Sequence, residues 1–322
     1  MRRREFVTFV GAAAVWPLAA RAQQPAMPVI GVLRVNPKGV NETFAEPFRR
    51  YMKALGWEEG RNIRFQFVWA GGQIDRMPAL AEELVAQKVD LIVTFGDAAI
   101  RSMEQATTTI PVVALTDDMI ATGLASSLRR MRASNMTGVS ILARELDVKR
   151  LELLHEFVPR ARRIGVLIDP SVLPTLTELE SAAHTFGLDL FPLQVRSSDE
   201  IGGALDGMVA AKVEAVNVLA SALLNSVRRV IIARMRDARL PAIYQWPEIA
   251  AEGGFLAYGP SLLLTYRQVA ALVDKVLRGA SPSDLPVEQP DRFELIINLK
   301  TAQELELTIS APLLLRADEV IE

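Results

Sequence analysis

Cysteine is missing from all 322 residues, so the chain has no disulfide framework, no thiol nucleophile and no lipid-modified cysteine. Histidine occurs twice. His155 and His184 each stand in a segment of helical period with no second histidine at ligand spacing, which argues against a zinc centre. No basic excess exists either: 36 Lys and Arg face 38 Asp and Glu, leaving no electrostatic footprint for nucleic acid. The phosphate and nucleophile signatures are missing as well. After the first candidate strand the chain reads V-L-R-V-N-P-K-G where a dinucleotide fold carries G-x-G-x-x-G, and neither G-x-x-x-x-G-K-[ST] nor G-x-S-x-G occurs. Asp117 and Asp118 are adjacent in a loop, which does not by itself make an acid and a base. No catalytic residue, metal or cofactor is therefore expected.

Long apolar runs are missing everywhere except at the start. MRRREFVTFVGAAAVWPLAARAQQ has a basic end at Arg2, Arg3 and Arg4, an apolar stretch from Phe6 to Ala20, and small residues at Ala20 and Ala22. That is the pattern of an export signal cleaved after about Ala22, with residues 1–22 removed. Arg3-Arg4-Glu5-Phe6-Val7 has the spacing of a twin-arginine signal, although Arg2 replaces the usual small polar residue before the pair. The Sec and twin-arginine routes both stay open. Cleavage removes four Arg and one Glu, taking the formal charge from −2 to −5. With no other uncharged run of membrane-spanning length, the mature chain is expected free in the periplasm, without membrane insertion.

What is present is an α/β rhythm. PVIGVLRV, NIRFQFVWA, VDLIVTFG and PVVALTD read as strands separated by amphipathic helices, the first marked by Phe44, Phe48, Tyr51 and Leu55. The rhythm then starts again with RRIGVLIDP, DLFPLQVRS, VEAVNVLA and PAIYQW, with helices at about 174–186, 199–211 and 222–239. A chain this long exceeds one ordinary core. Two Rossmann-like lobes with parallel sheets, joined by a hinge, are expected: residues 27–141 plus about 247–282, and 142–246 plus about 283–322. A crossing segment is placed near Thr137 to Ile141, and GASPSDLPVEQP reads as an extended surface connection. Asn135-Met136-Thr137 matches a glycosylation sequon but reads as a turn in an exported bacterial-type chain.

PVVALTDDMIATGLASSLRRMRASNMTGVSI, LELLHEFVPRARRIGVLIDPS and the closing run from YRQVAALVDKVLRG through FELIINLKTA to LLLRADEVIE carry a family likeness. Over essentially the whole mature chain the sequence resembles the ABC transporter substrate-binding proteins of the tryptophan/tyrosine type. The resemblance implies a type I periplasmic binding fold: two lobes, a three-stranded hinge and one ligand in the cleft. Two departures stand out. Thr116-Asp117-Asp118-Met119 replaces the Ser-Asp-Pro-Val common in the family, and Glu306 stands where a glycine is common, at a helix end.

Physics locates the cleft without the name. Ligands of open parallel sheets bind beyond the carboxyl ends of the strands. The strand-end candidates are Asn36, Thr94 with Gly96 and Asp97, Asp117, Asp169 with Ser171, Ser221, Tyr244 with Trp246, and Tyr258 in the last loop before the final long helix. Each has a plainer alternative. Asp97, Asp117, Asp169, Ser171 and Ser221 stand where capping or turn residues are expected. Tyr244 and Trp246 fall together in a chain only 6% aromatic, and their rings either stack on a flat or apolar ligand beside Gln245 or pack under the hinge. Arg228, Arg229, Arg234 and Arg236 read as the wet side of a helix whose apolar face has Val227, Val230, Ile231 and Met235.

The expected function is a monomeric periplasmic binding protein that closes on a small molecule and delivers it to the membrane subunits of an ABC permease. The resemblance implies an aromatic or other amino acid. The alternatives are a sensory module of the same fold that presents its ligand to a receptor kinase, and an exported α/β hydrolase. An export signal stands where a repressor would carry its helix-turn-helix.

Overall fold

A computed structural model describes residues 27–35, 42–141, 143–170 and 176–322. The expected signal, Asn36 and Ser171 lie outside the described residues. Short β-branched runs alternate with amphipathic segments, and the first half folds accordingly as β1 (Val29–Arg34), α1 (Glu42–Ala54), β2 (Arg64–Trp69), α2 (Met77–Ala86), β3 (Leu91–Phe95), α3 (Asp97–Ala106) and β4 (Val112–Thr116). A small ribbon of β5 (Ala125–Ser127) and β6 (Arg130–Met131) precedes β7 (Met136–Ser140). The second half runs α4 (Ala143–Phe157), β8 (Arg163–Ile168), α5 (Leu176–Phe186), β9 (Asp189–Gln194), α6 (Ile201–Ala210), β10 (Ala215–Val218), α7 (Ala222–Ser226), α8 (Arg228–Asp237), β11 (Ala242–Tyr244) and α9 (Glu248–Ala251). It ends with β12 (Leu256–Gly259), α10 (Leu262–Leu277), β13 (Glu294–Asn298), α11 (Leu299–Glu304), α12 (Ala311–Leu314) and β14 (Glu319–Ile321).

The first sheet has the order β2-β1-β3-β4-β7, all parallel. The second has the order β14-β13-β12-β11-β10-β8-β9, parallel except where β12 meets β13. Within it, β9-β8-β10-β11-β12 repeats the topology of the first sheet, so the expected pair of Rossmann-like lobes is the architecture observed. Strands such as LIVTF and VVALT are buried along their whole length, as central parallel strands covered by helices should be.

The lobe boundaries differ from the expected ones because the segment around Tyr258, expected as a loop, is a strand. Leu256–Gly259 is β12, paired between β11 and β13, so residues 247–260 belong to the second sheet. The chain returns to the first lobe only with α10, which packs on α1, β4 and β7. It then stays there. Val287 and Glu288 lie beside β7, where Glu288 N donates to Gly138 O and Ser140 N donates to Glu288 O, both at 2.9 Å. The Pro- and Ser-rich stretch is thus partly buried sheet edge and not only a surface connection, with Val287 4% exposed. Crossings fall near residues 142, 260 and 291.

A buried ion pair ties two of those crossings to the second sheet. Arg150 on α4 is 1% exposed, pairs with Asp147 one helical turn earlier, and donates from Nη1 to the Tyr258 carbonyl at 2.9 Å. Asp147 also accepts from Ala220 N at 3.3 Å, and Asn217 Nδ2 donates to the Asp147 carbonyl at 3.1 Å. Next to Tyr258, a Cβ on Gly259 would stand 1.9 Å from the Gln245 carbonyl oxygen, so only glycine lets the second crossing pass that close. Arg150→Met leaves the Asp147 carboxylate buried without its cation. Urea denaturation should show a loss of about 3–5 kcal/mol; a loss below about 1 kcal/mol would mean that the pair contributes little to the hinge.

Candidate functional site

The switch point of each sheet lies between its first and third strands, and the two lobes bring these points face to face. Arg34 ends β1, and Gly96 follows β3. Asp169 follows β8, and Ala222 opens α7 just beyond β10. Between them lies a cavity of about 40 Å³. The lobes also touch at the rim, where Gln73 bridges Ser197 and Ser198 N donates to Gly72 O at 3.3 Å, so the cleft is closed.

Arg34 is the cationic wall. Its guanidinium carbon lies 4.4 Å from the Phe44 ring centre and 4.3 Å from that of Phe95. Both rings pack edge-on around Tyr266, with Phe44 at 4.8 Å and Phe95 at 6.1 Å, and the Tyr266 hydroxyl is hydrogen-bonded to the guanidinium. Burial lowers the Arg34 pKa and the Tyr266 contact opposes that shift. A guanidinium starts so far above neutrality that it stays charged. The sequence reading missed Arg34; its signal was a single cation inside an otherwise apolar strand.

The end of β4 supplies the anionic wall. Asp117 is buried, and its Oδ2 has no partner among the described residues. Its carboxyl lies well above the usual range, first through burial and then through the carboxylates of Asp97, Asp147 and Asp169, with Arg150 opposing. The neighbour differs completely. Asp118 closes a local turn, accepting from Ile120 N at 3.1 Å and Ala121 N at 2.9 Å.

The second lobe adds polar groups without partners. Asn225 Oδ1, Gln245 Oε1 and Trp246 Nε1 are buried, line the cavity and have no hydrogen-bond partner among the described residues. Asn225 is fixed by a residue that the sequence reading put on a solvated face. Arg228 is in fact 5% exposed, pairs with both oxygens of Glu252 at 2.7 and 3.0 Å, and donates from Nη1 to the Asn225 carbonyl at 3.0 Å. The expected helix 222–239 breaks at Val227 into α7 and α8, with Arg228 buried and Val230 48% exposed. Phe95, Leu115, Ile141 and Leu262 complete the lining with apolar surface.

Of the candidate contacts, Gly96, Asp117 and Trp246 line this cavity. Gly96 also shares a smaller chamber with Asp97 and Asp169. Thr94 is buried in the sheet with its hydroxyl toward the Leu33 carbonyl at 3.5 Å. Ser221 caps α7, accepting from Leu223 N at 3.0 Å and Leu224 N at 3.2 Å while donating to Asp169 Oδ2 at 2.6 Å. Tyr244 packs against Gly254, buried enough to raise its phenol pKa, and Tyr258 packs on the second lobe's core. Neither tyrosine lines the cavity. Gly96 caps α3, and Asp97, its first residue, accepts from the Thr116 hydroxyl instead of capping.

The sequence pattern of the ABC transporter substrate-binding proteins matches residues 41–321. The chain belongs to that family. As a substrate-binding protein it is similar to a "Tyrosine-binding protein" of Clostridioides difficile, 26% identical over 265 residues covering 80% of this chain and 75% of the relative. A Streptococcus pneumonia ABC domain solved with L-Trp superposes with a TM-score of 0.80 at 24% identity, covering 91% of this chain and 99% of that one. A conserved domain protein from Vibrio cholerae superposes at 0.82, with the same identity and coverage. Among the described residues of this binding protein no helix is long and apolar enough to cross a membrane.

Asp97 gives the substrate-binding protein a pH signature. Its carboxyl is pushed up to about 6, chiefly by burial, with the Thr116 hydroxyl opposing. The folded state thus holds this proton more tightly than the unfolded chain. The stability it contributes is complete below about pH 4 and is lost as pH rises through about 6, a change on the order of 3 kcal/mol. Asp97→Asn lacks that loss. Denaturation in choline-salt buffers should show the variant gaining on the parent by up to about 3 kcal/mol between about pH 4 and 7; a difference independent of pH would refute the assignment.

Proposed function

We propose that the protein is exported, binds an α-amino acid with an apolar or aromatic side chain between its lobes, and delivers it to an ABC permease. The observation that carries this reading is the set of buried groups without partners around one cavity. Asp117, Asn225 and Gln245 present acceptors suited to the three donors of an ammonium group. Arg34 and the Trp246 N–H stand for a carboxylate, and Phe95, Leu115 and Leu262 for the side chain. A zwitterion answers all three at once, and an ammonium beside Asp117 opposes the burial and the neighbouring carboxylates that raise its pKa.

Tyrosine and L-Trp, the ligands of those two relatives, fit the same chemistry. Because Asp117 stands on the first lobe and Asn225 and Gln245 on the second, a bound ammonium holds the closed form, the signal a permease reads. The pattern of residues 1–22 supports export. Calorimetry with L-tyrosine, L-tryptophan and L-phenylalanine, and with their deaminated acids, tests the reading. At least one amino acid should bind while its acid does not, and Asp117→Asn should weaken binding by roughly 10- to 100-fold. Equal binding of the deaminated acids, or an unaffected variant, would overturn it.

A further inference from the structure

A second chamber lies beside the main cavity, on the far side of the contact between Gly96 and Ala222. The two spaces share Phe95, Gly96 and Ala222 as lining. Gly96 has a φ of +85°, and a Cβ there would stand 2.8 Å from the Ala222 Cβ, so the partition is as thin as two residues allow. The chamber has about 260 Å³ of atom-free space but admits only about one water-sized sphere. Its walls are apolar except for two carboxylates that face each other from opposite lobes, Asp97 from the first and Asp169 from the second.

The two acids are unequally satisfied. Asp169 accepts from Ser221, whereas Asp97 is 1% exposed and uses only Oδ1, toward Thr116. Its Oδ2 is buried with no partner among the described residues. Arg101, a base whose charge acts on Asp97, donates from Nη2 to the Thr122 carbonyl. A buried carboxylate oxygen left in this state requires a positive charge or a donor beside it. The space is water-sized, which fits a potassium or ammonium ion, or a primary ammonium carried on a ligand that reaches past Gly96.

We propose that this chamber is a subsite for one monovalent positive charge, held between Asp97 and Asp169 across the closed cleft. The site is separate from the Asp117 group and does not rest on the identity of the solute. Its charge comes from a free ion or from a second amino group on the ligand, and two experimental arms separate these sources. In the first, thermal unfolding of the ligand-free protein is followed at alkaline pH in potassium, ammonium and choline chlorides at equal ionic strength. In the second, calorimetry compares L-phenylalanine with its para-aminomethyl derivative, whose added amine is protonated.

A free-ion site raises the unfolding midpoint by several degrees in potassium or ammonium over choline, which is too bulky to enter. A ligand-borne charge makes the aminomethyl derivative bind at least about tenfold more tightly than phenylalanine. Either response should vanish in Asp97→Asn, and Asp169→Asn provides the same test where the first variant folds poorly. The proposal is overturned if the parent protein shows neither response, or if the response persists in both variants.

Discussion

The closed cleft holds buried carboxylates from both lobes within electrostatic reach of one another. Asp97 and Asp117 stand at strand ends of the first lobe, and Asp147 and Asp169 on the second, all buried in the closed form. Asp147 has a guanidinium in contact, that of Arg150. The positions follow from topology, since parallel strands deliver their last residues, and the starts of the following helices, to one edge of the sheet. Desolvation and mutual repulsion therefore oppose the closed state unless protons or positive groups enter with it. In the proposed reading the solute's ammonium is such a group, and closure is linked to binding through charge as well as through contact area.

The rest of the molecule holds those charges in place. Arg34 is clamped between two rings and bonded to a third residue, so its guanidinium has one orientation and little rotamer freedom to lose when an anion arrives. Arg228 neutralises Glu252 and fixes the backbone of Asn225, which turns an ion pair remote from the cavity into a positioning device for one cavity oxygen. Arg150 ties α4, the end of β10 and the exit of β12 into one block beside two crossings. Motion of the lobes is then confined to the few residues outside that block.

Much of this was legible in the sequence, and the failures have physical causes. Buried parallel strands read clearly because both faces are apolar, as LIVTF and VVALT illustrate. LAYG of β12 did not, because four residues that end in a glycine and follow Gly253-Gly254-Phe255, with one a half-buried tyrosine, resemble a loop until neighbouring strands are known. The same miss displaced the lobe boundary. At the site, strand-end logic points to Asp117 and Trp246, which line the cavity, and also to Ser221, whose hydroxyl is consumed by a helix cap. Asn225 and Tyr266 sit within helices, where periodicity alone gives no reason to single them out. Glu306 was a departure the sequence did place correctly at a helix end: it follows α11 with φ of 58°, a conformation where glycine is the unstrained choice.

The two ends of the cavity differ in how strictly they discriminate. In the proposed reading, a ligand lacking its ammonium would leave Asp117, Asn225 and Gln245 desolvated and unpaired, a penalty that rejects the analogue by orders of magnitude. At the other end, Phe95, Leu115, Ile141 and Leu262 meet the ligand through dispersion and burial, where one methylene more or less changes affinity by about 1–3 kcal/mol. Head-group recognition is therefore fixed by a few polar atoms, while side-chain choice is spread over apolar residues that exchange for one another at small cost.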